Sequence, residues 1–337
     1  ETVRSRAAAD VRRGTEQHPG RRCPEGCTDV LPDPGHFLPG CGTVNQEVIM
    51  IVTLKEIMEI AEEKQIAVGA FNAPNLESLR AVIQAAEELK LPVIIQAAQC
   101  HEECTPLAVM GPLMVQYAKN AGVPVCVHLD HGETLEYLEE ALKMGFTSIM
   151  YDGSVLPCGE NTANTKKAVA MAAKYGANVE AELGSMGRRE SGAGDGSGEE
   201  DDTKIYTDPI QAKIFVKETG VDALACSFGT THGIYLTKPK LDFTVVERVR
   251  EETGGIPVVM HGGSGVSRED FHAAIRAGVR KINYFTYMDK AAGTAVAKWA
   301  SELSESQPAF FIDASRIAIE AMKENVKEAM KVFAFMD

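Results

Sequence analysis

The chain has 337 residues, 45% hydrophobic and 24% charged, enough to bury one large core or two smaller ones. A net charge of −14 lacks the basic footprint of a nucleic-acid binder, and no apolar run approaches the roughly 20 residues that span a bilayer, so neither nucleic acid nor membrane is an expected partner. Eight cysteines at this length do not make a disulfide scaffold, and a reducing cytoplasm is the expected compartment.

Residues 1–49 differ in character from the rest of the chain. Glu1 to Glu47 is rich in Arg, Pro, Gly and Cys, shows no sustained helical or strand period, and lacks the apolar segment of a secretory signal. It reads as a disordered extension or translated upstream sequence with Met50 as the natural start, so the fold is sought in residues 50–337 as one domain. There, helical spacing covers 54–64, and strand-like and helix-like segments then alternate. Short apolar runs at 67–71, 93–96, 125–128, 148–151, 178–182, 223–227, 257–261 and 281–284 predict eight strands. Helices are predicted over 76–90 (N-cap Asn75), 107–120, 135–143, 162–175, 209–219 (N-cap Asp208), 243–253, 268–277, 287–304 and 315–335.

Eight buried strands, each followed by a helix, is the count of a (β/α)8 TIM barrel. An open doubly wound sheet would gather its chemistry at one switch point. Here polar residues end at least six strands: Asn72, Asp130 with His131, Asp152, Glu182, His232, His261 and Asn283. Only a closed barrel brings all of those tips to one rim, so the expected class is α/β, a single (β/α)8 barrel.

His131, His232 and His261 are the candidate metal ligands, because three imidazoles with an open fourth position suit a catalytic zinc. Singly, each reads more readily as a packed core or rim histidine, and it is the three together that point to a metal. Glycine follows each of them and is expected to let backbone approach a ligand closely. Asp130 either orients a histidine or works as a general acid/base. Asp152 and Glu182 either bind a second cation, tune the histidines or hydrogen-bond in the rim. Gly262, Gly263 and Ser264, with Asn283, Tyr284, Phe285 and Thr286, end the last two strands, where barrels often form a phosphate site. The glycine-rich acidic stretch 187–202 lacks the Gly-Lys-Ser/Thr ending of a Walker loop, and is either a solvated loop or a mobile lid. Cys100 and His101, with Cys104, fall short of a four-ligand zinc set.

Taken in order, Ala70-Phe71-Asn72, His128-Leu129-Asp130-His131-Gly132, Met150-Tyr151-Asp152-Gly153-Ser154 and Val179-Glu180-Ala181-Glu182-Leu183-Gly184 form a recognisable series. Tyr206-Thr207-Asp208-Pro209, Gly229-Thr230-Thr231-His232-Gly233, Val259 to Gly265 and Lys281-Ile282-Asn283 continue it. The chain resembles the class II, metal-dependent fructose-bisphosphate/tagatose-bisphosphate aldolases over essentially all of 50–337. The resemblance implies a zinc enzyme, usually a homodimer or homotetramer, acting on a sugar phosphate. It reversibly cleaves a ketose 1,6-bisphosphate (fructose or tagatose) to dihydroxyacetone phosphate and glyceraldehyde 3-phosphate, with zinc stabilising the enediolate.

Carried over by motif, His131, His232 and His261 would bind zinc, with Asp152 and Glu182 near the metal site and a second divalent or monovalent cation allowed. Asp130 would move the C4 hydroxyl proton. Gly233, Gly262, Gly263, Ser264, Asn283, Tyr284, Phe285 and Thr286, with Asn72, would bind substrate. Glu190 lies where the family's loop carries a second acid/base, although Glu199 or Glu200 could serve instead. Ala98 replaces a frequent hydroxyl residue, and Tyr284 and Phe285 replace smaller or acidic ones, which leaves the preferred sugar open. The alternatives are another ketose phosphate or a deoxy-ketonic acid phosphate, a zinc hydrolase on a barrel, and a silent sugar-phosphate-binding protein.

Overall fold

A computed structural model of the protein describes residues 50–184, 206–233, 235 and 238–336. The extension 1–49 and the stretch 187–202, with Glu190, Glu199 and Glu200, lie outside the described residues. The strands are β1 (Ile51–Val52), β2 (Val68–Asn72), β3 (Val93–Ala98), β4 (Val125–Gly132), β5 (Ser148–Tyr151), β6 (Asn178–Leu183), β7 (Ala223–Cys226), β8 (Val258–Met260) and β9 (Val279–Tyr284). Each of β2 to β9 pairs in parallel with its neighbour in sequence, and β9 pairs back onto β2, so the eight close into a barrel. The expected (β/α)8 architecture is what forms. Two-residue β1, which the sequence pattern does not announce, pairs with the start of β4.

The helices are α1 (Leu54–Lys64), α2 (Leu76–Leu89), α3 (Leu107–Asn120), α4 (Leu135–Met144), α5 (Cys158–Ala172), α6 (Pro209–Thr219), α7 (Phe243–Thr253), α8 (Arg268–Ala277), α9 (Thr286–Glu302) and α10 (Phe311–Phe333). Local chemistry sets their starts. Asn75 Oδ1 accepts from the Ser78 N–H at 2.9 Å, and Asp208 Oδ1 accepts from those of Ile210 and Gln211 at 2.7 and 3.0 Å. Helix α5 begins four residues earlier than its periodicity predicts, because the Pro157 carbonyl accepts from Glu160 and Asn161 at 2.8 and 3.0 Å. Helix α10 also begins four residues early, at Phe311.

Side chains alternate across every barrel strand. Val125, Val127 and Leu129 of β4 and Val179 and Ala181 of β6 face the helices. At the N-terminal end of the barrel, Leu54, Ile57, Met58 and Ala61 of α1 pack against Val68, Ala70, Ile94, Cys126, Ala223, Ala225 and Val259. Helix α1 is thus a hydrophobic plug. Above it the interior turns polar: Gln96, His128, Glu180 and Lys281 are fully buried. Cys126 and Cys226 are small buried hydrophobes, as expected.

Candidate active site and metal centre

At the C-terminal rim the ring centroids of His131, His232 and His261 lie 4.8–5.6 Å apart. One ligand nitrogen from each comes within 4.8 Å of the other two, and His131, Asp152 and Glu182 make a second such group. Three strands, two of them far apart in sequence, converge here as the tip pattern predicts.

The neighbours decide which nitrogens are offered. Carboxylates can only accept, so His261 Nε2–H donates to Glu180 Oε1 at 2.9 Å and His131 Nδ1–H donates to Asp152 Oδ2 at 2.8 Å. His261 Nδ1 and His131 Nε2 are the nitrogens left facing the cluster, and a cation there would take the place of their protons. His261 Nδ1 and Glu182 Oε2 are buried without hydrogen-bond partners and 3.3 Å apart. A donor set of imidazoles and carboxylate with orphaned buried atoms fits a divalent cation such as zinc. Burial alone would pull both histidines below their ordinary range. Asp130 and Asp152 outweigh it at His131, and Glu180 and Glu182 outweigh it at His261, which is held up at about 10. The same carboxylates would make the imidazoles more basic donors to a cation that displaced the proton.

The backbone at the first histidine of the cluster is unusual. His131 has φ +48°, a left-handed conformation that few non-glycine residues adopt, and the β4–β5 register shifts between Leu129 and Gly132. This irregularity turns successive side chains, Asp130 and His131, toward one site. Gly132 is small for a different reason from the one expected. A Cβ there would run into Leu138 and the Met150 carbonyl, so it makes room for α4, not for a ligand. Gly262 likewise sits on the Thr231 backbone with φ +66°, which locks the β7 and β8 tips together.

Asp130 lies beside the cluster, with Oδ1 4.0 Å from His131 Nε2. Its carboxylate accepts from three side-chain amides. Asn72 and Gln96 donate to Oδ2 at 2.9 and 3.1 Å, and Asn283 donates to Oδ1 at 3.1 Å. Burial works to raise the Asp130 carboxyl, but the positive fields of His131 and Lys281 outweigh it and hold it well below the usual carboxylate range. It is an anion at neutral pH. Asn72 and Asn283, expected to bind substrate, also line the cavity but direct these amides at Asp130.

An open-mouthed cavity is lined by Asp130, His131 and His232 together with Gly233, Gly262, Gly263, Ser264, Tyr284, Phe285 and Thr286. The N–H groups of Phe285 and Tyr287, at the start of α9, both donate to Ser264 Oγ at 3.4 Å. Backbone donors, a hydroxyl and a helix N-terminus thus meet beside the histidine cluster.

A family model described as fructose-bisphosphate aldolase class-II matches residues 52–337. The chain belongs to the class II fructose-bisphosphate aldolase family. It is therefore an aldolase, a carbon–carbon lyase, which sets aside the hydrolase reading. A fructose-bisphosphate aldolase of Staphylococcus aureus is 38% identical over 293 residues, covering 84% of this chain and 97% of that protein. The crystal structure of the YdjI aldolase of Escherichia coli is similar at a TM-score of 0.74 and 37% identity, over 84% of this chain and 97% of that one. The fructose-bisphosphate aldolase of Campylobacter jejuni, at 24% identity and a TM-score of 0.71, shares the fold. Among the described residues of the aldolase, no helix is long and apolar enough to cross a membrane.

Two residues of the aldolase site escape a reading of strand tips. Glu180 and Lys281 sit one pleat below Glu182 and Asn283 and are fully buried, with Lys281 Nζ 2.7 Å from Glu180 Oε2. Burial raises Glu180, but Lys281 and His261 outweigh it and hold it at about 2. Glu180 thereby connects Lys281 to His261 of the histidine cluster. His128, expected to be a packed neighbour, is one: it is fully buried, its Nδ1 lies 2.8 Å from Ser148 Oγ, and burial with Lys281 pushes it down to about 3. A charged residue inside an apolar strand, two positions before a polar tip, is the signal that would have found Glu180 and Lys281.

Proposed function

We propose that this aldolase is zinc-dependent and reversibly cleaves a ketose 1,6-bisphosphate, fructose or tagatose, to dihydroxyacetone phosphate and glyceraldehyde 3-phosphate. The convergence of three imidazoles beside an anionic Asp130, in a cavity also lined by a phosphate-type cradle, supports the reading. His131, His232 and His261 would hold the zinc, with Asp152 and Glu182 next to it or on a second cation. Zinc bound there would act as a Lewis acid that withdraws charge from the substrate's carbonyl oxygen. Asp130 accepts the C4 hydroxyl proton in cleavage and returns it in condensation. Gly233, Gly262, Gly263, Ser264 and Thr286, with the backbone around Asn283, Tyr284 and Phe285, hold the dihydroxyacetone phosphate end so that the reacting carbons meet Asp130. Glu190, or Glu199 or Glu200, would protonate the carbanionic fragment.

Chelator is expected to abolish cleavage in a coupled triose-phosphate assay, and added zinc to restore it. Activity that survives complete metal removal would sink the zinc assignment. Replacing Asp152 with alanine releases His131 Nδ1, and zinc affinity should fall about 10- to 100-fold in a chelator competition. Ala98, Tyr284 and Phe285 line the cavity, so comparison of the C4-epimeric fructose and tagatose bisphosphates, with other ketose phosphates, decides the substrate. The family resemblance also supports a cytoplasmic homodimer or homotetramer, for which sedimentation is the test, and a catalytic barrel of residues 50–337.

A further inference from the structure

One imidazole on the cavity wall belongs neither to the histidine cluster nor to the amides around Asp130. His101 ends a single 3-10 turn, Gln99–His101, directly after β3. Its ring lies against Phe285, with centroids 5.0 Å apart and planes at 56°. Its Nδ1 is buried and has no hydrogen-bond partner.

The turn that carries it is fixed on both sides. Gln99 Oε1 accepts from the Glu133 N–H at 2.8 Å, while the Glu102 carboxylate accepts from the Tyr137 hydroxyl at 2.6 Å and the Leu107 N–H at 2.9 Å. His101 is therefore placed before any ligand arrives, which lowers the entropy lost on binding. Phe285 leads into the α9 N-terminus, where the donors around Ser264 are all uncharged. No lysine or arginine lines the cavity among the described residues. An anion seated in the cradle has peptide dipoles and hydroxyls around it, and among the described lining residues His101 is the one imidazole outside the histidine cluster.

We propose that His101 is a substrate-binding residue, donating an imidazole N–H to a phosphate oxygen in the cradle formed by Gly262–Ser264 and Phe285–Thr286, and so selecting phosphorylated over neutral sugars. This rests on the reading of the site as one for a sugar phosphate. The test uses the zinc-loaded full chain, with inorganic phosphate and dihydroxyacetone phosphate as calorimetric probes and fructose 1,6-bisphosphate as the kinetic one. His101→Phe keeps the ring against Phe285 and removes both nitrogens. It should weaken both probes and raise KM by about tenfold or more, the effect of losing one hydrogen bond to a charged group, with kcat within about threefold of wild type. His101→Asn, which restores an amide donor, should fall between.

Phosphate affinity and KM unchanged in His101→Phe would overturn the proposal, because packing alone would then explain the residue. So would a loss confined to kcat. If His101→Phe does not fold, His101→Asn and His101→Gln carry the same comparison, judged against their melting temperatures. Wild-type protein that binds phosphate through His101 without cleaving any ketose phosphate would overturn the proposed function and leave this inference standing.

Discussion

Replacing Asp130 with alanine is expected to lower kcat for cleavage by about 10²- to 10⁴-fold, the range for loss of a positioned general acid/base. KM and bound zinc should change little. The carboxylate is not one of the clustered ligand groups, and its oxygens are already engaged by Asn72, Gln96 and Asn283. Those three amides keep Asp130 in one orientation and leave it anionic. Asp130→Asn should be as inactive, because a neutral amide cannot take up the proton and its NH2 would face one or two of those donors. Steady-state kinetics beside elemental analysis separates the two effects. Turnover near wild type would move the proton transfer to another residue, and loss of zinc in parallel would make Asp130 part of the metal site.

Lys281→Met is expected to destabilise the barrel by about 3–5 kcal/mol, because Glu180 would lose its main buried counter-charge and keep only the His261 N–H. The pair is fully buried with Nζ 2.7 Å from Oε2, so solvent cannot take over. Denaturant unfolding measures the loss, and the double variant Lys281→Met/Glu180→Gln should recover much of it by removing both charges. Zinc affinity should also fall in the single variant, since Glu180 fixes the tautomer of His261. The pH dependence comes from the depressed Glu180. Its contribution to stability is fully present above the ordinary carboxylate value of 4.5 and is lost as pH falls toward about 2. In Lys281→Met that acid limb should move to higher pH, because the main stabilising field on the carboxylate is gone. An unchanged unfolding midpoint in the single variant would show that water or a rearranged side chain compensates for the lysine.

The barrel, its strand tips and its family were readable from the chain alone. Strands buried on both faces appear as unbroken apolar runs, and a polar residue that interrupts such a run at its end must face the rim. Helix starts marked by Asn75 and Asp208 came from capping chemistry. The limits of β4 did not. Its pairing continues through Asp130, His131 and Gly132, with a register shift that only its neighbour β5 imposes.

What the sequence determined by itself was thus the list of reactive groups and the end of the barrel they occupy. Tertiary structure decided what each group does, because a side chain's role depends on which partners reach it from other strands. Asn72 and Asn283, from the first and last strands of the barrel, both donate to Asp130. Gly132 yields to α4, and Gly262 lies on the β7 tip. Glu180 and Lys281, inconspicuous inside their strands, become the buried pair beneath His261 because closure of the barrel turns β6 and β9 toward each other.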